Sequence, residues 1–89
     1  MLTVTEAASA RLAEILKQEE FPEEAAIRFV REAGGLRLQS DNERPGDTTF
    51  QHEGRTVLLL DEQVSELLAD ETLDVDGPKL ALRGAGDEP

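Results

Sequence analysis

Residues 26–40, AIRFVREAGGLRLQS, restrict the fold more than any other stretch of the chain. On the second half Leu36 and Leu38 alternate with Arg37 and Gln39. That period of two marks a half-buried strand, with both leucines pointing inward. On the first half Ile27 and Phe29 share one face and Arg28 takes the other. Gly34-Gly35 lies between the runs, and two glycines reach backbone angles closed to other residues. The stretch therefore predicts two strands joined by a glycine turn.

The preceding segment predicts one helix. Met1 to Val4 is a short extended lead, and Thr5 has the chemistry of an N-cap with Glu6 in the first turn. Ala8, Leu12, Ile15 and Leu16 follow at helical spacing and make one apolar stripe. Lys17 suits the negative end of the helix dipole, and Phe21-Pro22 cannot continue the helix, which is predicted over 6–19.

After the strand pair, 41–47 is polar and contains the turn signal Pro45-Gly46. Thr48 to His52 and Arg55 to Leu60 read as strands around Glu53-Gly54. Val57 to Leu60 is continuously apolar, which predicts a central strand or one covered on both faces. Asp61 caps a second short helix over 62–69. Thr72 to Asp76 and Lys79 to Arg83 alternate around Gly77-Pro78, with Leu73, Val75, Leu80 and Leu82 inward. The expected architecture is mostly β with one or two flanking helices, an α+β domain over 1–83. Residues 84–89 are expected to form a flexible tail.

Composition narrows the function. The 89 residues hold 9 bases and 20 acids, a net charge of −11. Such a surface repels nucleic acid phosphates and anionic lipid headgroups and favours basic proteins or cations. The plain alternative is a solvated acidic coat. Cysteine is absent. Disulfides, thiolate nucleophiles, cysteine-held iron–sulfur clusters and the usual structural zinc sites are therefore excluded. The chain shows neither a basic-then-apolar start nor a long apolar run, so a cytoplasmic soluble protein without a membrane partner is expected. Aromatic residues are 3% of the chain, so the core is small and aliphatic, and pairing of subunits would enlarge it.

Candidate chemistry is sparse. His52 is the only histidine, on a predicted strand beside a turn with no catalytic partner evident nearby in sequence, the setting of a surface residue rather than a catalyst. From Asp61 to Asp76 there are seven acids and no bases, with Asp70, Asp74 and Asp76 the candidate ligands for a divalent cation. Asp74-Val-Asp-Gly77 begins like a calcium loop, but Pro78 and Lys79 follow and the terminal Glu is missing. Asp74 and Asp76 also share one strand face, where solvated acids are ordinary. Gly34-Gly35 lacks phosphate-loop spacing, and no motif places a base beside Ser9, Ser40 or Ser65.

Three segments carry a family resemblance. Residues 2–8, LTVTEAA, resemble the N-terminal start of the HesB-like family, the A-type iron–sulfur cluster carriers. Residues 50–61, FQHEGRTVLLLD, resemble its hairpin ending in aspartate, and 68–74, LADETLD, resemble the segment that follows. The likeness covers most of 2–83 and implies a HesB-like pseudo-barrel of two buckled sheets with a flanking helix. It also implies a ligand set of three cysteines, one in a glycine-rich loop and two near the C-terminus. Matching Gly35-Leu36 to the end of that loop puts Ala33, beside Gly34, at the first cysteine, and no cysteine stands near or beyond Gly84 to Gly86 either. Alanine offers no lone pair to iron, so the fold is carried over and the cluster chemistry is not. The expected function is a non-catalytic binding or accessory protein with no cofactor, linked to iron–sulfur assembly through a basic protein partner. It is expected to self-associate as a homodimer or larger homo-oligomer. The alternatives are a divalent-cation protein using the surface carboxylates and an enzyme with a carboxylate acid/base, for which no positioned pair is visible.

Overall fold

The computed structural model describes residues 2–33 and 35–84. Strand β1 (Thr3–Val4) leads into helix α1 (Glu6–Gln18), and the junction is the expected cap. Thr5 holds extended backbone, and its hydroxyl oxygen accepts from the Ala8 amide at 3.1 Å. Ala8, Leu12 and Leu16 are fully buried, while Ile15 is half-buried at the margin of the stripe.

The helix stops one residue before the predicted end, and proline is not the cause. Glu20 takes a left-handed conformation, φ 55°. The Phe21 amide then donates to the Leu16 carbonyl at 3.0 Å and the Glu20 amide to the Lys17 carbonyl at 3.1 Å. This pair of bonds is a Schellman closure, which satisfies carbonyls that the helix leaves unpaired. It turns Phe21 back onto the core.

Six strands follow, interrupted by one short helix. They are β2 (Ala25–Glu32), β3 (Gly35–Asn42), β4 (Thr48–His52), β5 (Arg55–Leu60), α2 (Glu62–Leu67) and then β6 (Thr72–Asp76) and β7 (Lys79–Arg83). One sheet has the order β3-β2-β5-β4 and the other β1-β6-β7. The pairs β2–β3, β4–β5 and β6–β7 are antiparallel, while β2 with β5 and β1 with β6 pair parallel. Helix α1 packs on strands of both sheets and fills the space between them. The expected mostly-β, two-sheet fold with two helices is what the chain adopts. Helix α2 keeps its cap, the Asp61 carboxylate accepting from the Val64 amide at 2.8 Å, but ends at Leu67 rather than 69.

Strand β5 lies between β2 and β4, and Val57, Leu58, Leu59 and Leu60 are all fully buried, as their unbroken apolar run predicts. Truncating one of these leucines to alanine costs about 2–5 kcal/mol. The edge strands behave differently. Leu38 on β3 is 44% exposed and Leu82 on β7 is 37% exposed, although alternation places both inward. Leu82 pairs with Leu73, which is 1% exposed, so the two share a face of the sheet. The outer strand simply reaches past the core. Gly35 opens β3, whereas Gly34 and the tail from 85 onward lie outside the described residues.

Candidate functional site

The sequence-derived candidates do not meet. Ala33 is exposed in the turn after β2. Asp70 is exposed beyond α2, and Asp76 is exposed at the end of β6. Asp74 is half-buried and already engaged. Its carboxylate accepts from the Thr5 hydroxyl at 3.0 Å and from the Val75 amide at 2.8 Å, and Arg83 stands 4.0 Å away. The Val75 amide, then the Thr5 hydroxyl, hold the Asp74 carboxyl below its ordinary range. Asp74 thus links the cap of α1 to β6. Among the described residues no three His, Asp or Glu side chains are grouped to hold a metal. Neither this donor set nor the methyl of Ala33 fits an iron–sulfur cluster, whose iron needs soft sulfur donors.

The charged residue that the strand pattern leaves unexplained is Arg28. It sits on central β2, in phase with Ala26 and paired in register with Leu59, and it is 4% exposed. All three nitrogens of its guanidinium donate. Nε donates to Asp41 at 2.7 Å, Nη1 and Nη2 donate to the two oxygens of Asp47 at 2.9 and 2.6 Å, and Nη2 reaches the Asn42 carbonyl at 3.2 Å. Asp47 also accepts from the Arg44 amide at 2.7 Å, and Asp41 from the Arg44 side chain at 2.8 Å. A buried charge is tolerable only when paired and hydrogen-bonded in this way. The Arg28 guanidinium holds the Asp47 carboxyl below its ordinary range, and burial opposes it. The Asn42 amide, more than Arg28, does the same for Asp41. Two signals in the sequence mark this network: an arginine inside the apolar run 25–30, and acids on both sides of Pro45-Gly46.

The clamp pins the β3–β4 loop against β2, and that loop carries Glu43. Beside it an open groove of about 470 Å³ is lined by Glu23, Glu24, Ala26, Glu43, Arg55 and Leu59. Ala26 and Leu59 are buried, while the three glutamates are exposed. Among the described residues none of the three glutamates forms an ion pair. Arg55 opens β5, and its Nη2 donates to the Pro22 carbonyl at 3.1 Å, tying the hairpin to the loop that follows α1. Its Nε is buried without a partner, which costs about 1–3 kcal/mol if nothing replaces the lost water. Sequence reasoning missed Arg55, because nothing local distinguishes it from a strand-end arginine.

His52 ends β4 and is half-buried. The turn that follows it places Glu53 and Gly54 at φ 52° and 83°. Two central residues at positive φ give the tight two-residue hairpin whose twist matches its strands.

No protein-family model matches the sequence, and no curated protein matches it. The structure is similar to the crystal structure of Escherichia coli SufA, a protein involved in biosynthesis of iron–sulfur clusters. The TM-score is 0.60 at 23% identity, over 92% of this chain and 81% of SufA. The chain therefore has the fold of SufA, the HesB-like fold its sequence resembles, built on 89 residues without a cysteine.

Proposed function

We propose that this chain is a non-catalytic accessory domain, linked to iron–sulfur assembly, that works by binding a basic protein partner in the cytoplasm. One observation carries the reading: a SufA-like fold with no cysteine anywhere in the sequence. With the ligands absent, what the fold retains is its surface, and that surface belongs to a chain of net charge −11. The groove rimmed by Glu23, Glu24 and Glu43 is the natural seat for a partner's lysine or arginine. It combines unpaired carboxylates with an apolar floor that accepts the side chain's methylene stem. Charge complementarity of this kind steers encounter and selects partners more than it raises affinity. Self-association belongs to the same proposal, since the exposed Leu38 on edge strand β3 gives a second copy an apolar contact.

The test is affinity capture with the full chain, washed at low and at high salt, beside an E23K/E24K/E43K variant. Retention of basic iron–sulfur assembly proteins at low salt, release by high salt and loss in the variant are expected. Capture of nothing salt-sensitive above background, or equal capture by the variant, counts against the proposal. Sedimentation velocity checks self-association, and a clean monomer at high concentration removes that part.

A further inference from the structure

A second groove lies on the other side of Arg55, between α1 and the β4–β5 hairpin. It measures about 400 Å³ and is lined by Ala10, Ala13, Glu14, Lys17, His52, Glu53 and Arg55. That volume falls in the range of small-molecule sites, roughly 300–1,000 Å³.

Its charges are unusual for this chain. With 20 acids to 9 bases, a base should find an acid easily. Arg11, Arg28, Arg37, Arg44 and Arg83 do so. Among the described residues Lys17, Arg31, Arg55 and Lys79 form no ion pair. Two of these four, Lys17 and Arg55, line this one groove with the chain's only histidine. The opposing acids are few. Glu14 is already paired with Arg11, which leaves Glu53. The helix dipole accounts for Lys17 alone, but not for its meeting His52 and Arg55. Arg55 adds an independent sign: Nη2 makes one bond, to the Pro22 carbonyl, and Nε is buried without an acceptor, so the guanidinium is partly dehydrated and short of one. The Ala10 and Ala13 methyls leave room between the cations.

We propose that this groove binds a small oxyanion, a carboxylate or a phosphate, held by Lys17, His52 and Arg55. The ligand oxygens accept from the ammonium, the imidazole and the guanidinium, the arrangement that gives the strongest hydrogen bonds to anions. This site does not depend on the accessory role proposed above.

The experiment is an amide NMR titration of the full chain with inorganic phosphate and, separately, with acetate, each compared with chloride at matched ionic strength. Saturable shifts confined to residues of α1 around 10–17 and of the hairpin around 52–55 are expected. Saturation by phosphate alone assigns that class, by acetate alone the carboxylate class, and by both a general oxyanion site. K17Q/H52Q should weaken binding about tenfold, and R31Q, which removes an unpaired arginine outside the groove, should leave it unchanged. Lys17 is exposed, so K17Q alone keeps the fold and carries the test, weakening binding about threefold. Shifts no larger than those with chloride, unchanged affinity in K17Q, or an equal loss in R31Q would overturn the site.

Discussion

Arg28 and Asp47 face each other through two parallel hydrogen bonds of 2.9 and 2.6 Å, with their side chains only 5% and 3% exposed. They stand 19 residues apart in sequence, and their pairing closes the β3–β4 loop over the sheet. Removing one partner of a buried pair is far costlier than the net contribution of the pair, because it strands the other charge. Asp47→Asn keeps the shape and removes the charge. Asp41 still compensates Arg28, so the loss should be about 2–3 kcal/mol rather than the full cost of an unpaired buried ion. Urea denaturation measures it, and a change below about 1 kcal/mol would mean that Asp41 alone satisfies Arg28.

The same pair sets an acid limit. Asp47 and Asp41 titrate below their ordinary value of 3.8 in the folded chain. A carboxyl depressed in the folded state contributes stability that is complete above the unfolded pKa and is lost as pH falls through the folded one. Stability carried by these groups should therefore hold from neutrality to about pH 5 and fall below about pH 4. In Asp47→Asn the acid slope should shrink without vanishing, because the Asn42 amide still favours ionised Asp41. Urea midpoints at stepped pH decide this, and identical slopes in both proteins would contradict it.

Thr5 serves two partners at once, accepting from the Ala8 amide and donating to Asp74. Thr5→Ala should cost about 1–2 kcal/mol through the lost cap. Thr5→Ala and Asp74→Asn should then be non-additive, the double variant losing less than the two singles together. Strict additivity in a double-mutant cycle would show that the link from α1 to β6 carries no energy.

Glu20 occupies the left-handed position that closes α1, where glycine is the usual residue. A side chain with a Cβ is disfavoured there by about 1–2 kcal/mol, part of which glycine gives back as entropy in the unfolded chain. Glu20→Gly should therefore raise stability by about 0.5–1 kcal/mol. A lowered thermal midpoint would indicate that the Glu20 side chain makes a compensating contribution.

Asp70, Asp74 and Asp76 are dispersed around β6, and Asp74 is already hydrogen-bonded. Native mass spectrometry with added Ca²⁺, Mn²⁺ or Fe²⁺ should show no stoichiometric, chelator-reversible adduct. A one-to-one adduct lost in Asp74→Asn/Asp76→Asn would restore the cation-binding reading.

The local elements were legible because each has a local cause. Thr5 and Asp61 cap helices through their own hydroxyl and carboxylate, and Gly54 and Gly77 sit at φ 83° and 61° in two-residue hairpin turns. The run Val57 to Leu60 announced a buried central strand. The inward placement of Leu38 and Leu82 failed, because alternation names a face and not how far the core extends beneath it. The acids grouped in sequence, Asp70, Asp74 and Asp76, were not grouped in space.

The sequence by itself determined which segments become helix or strand, where most of them stop, and that no cysteine ligand is available. Those properties depend on side-chain periodicity, capping chemistry and composition, all of which act within a few residues. Only the tertiary structure decided the parallel pairings of β1 with β6 and β2 with β5. It alone sealed Arg28 against Asp41 and Asp47, and brought Lys17, His52 and Arg55 to one groove. Strand order and the approach of distant charges follow from which faces exclude water together, and that is a property of the assembled core, not of any single stretch.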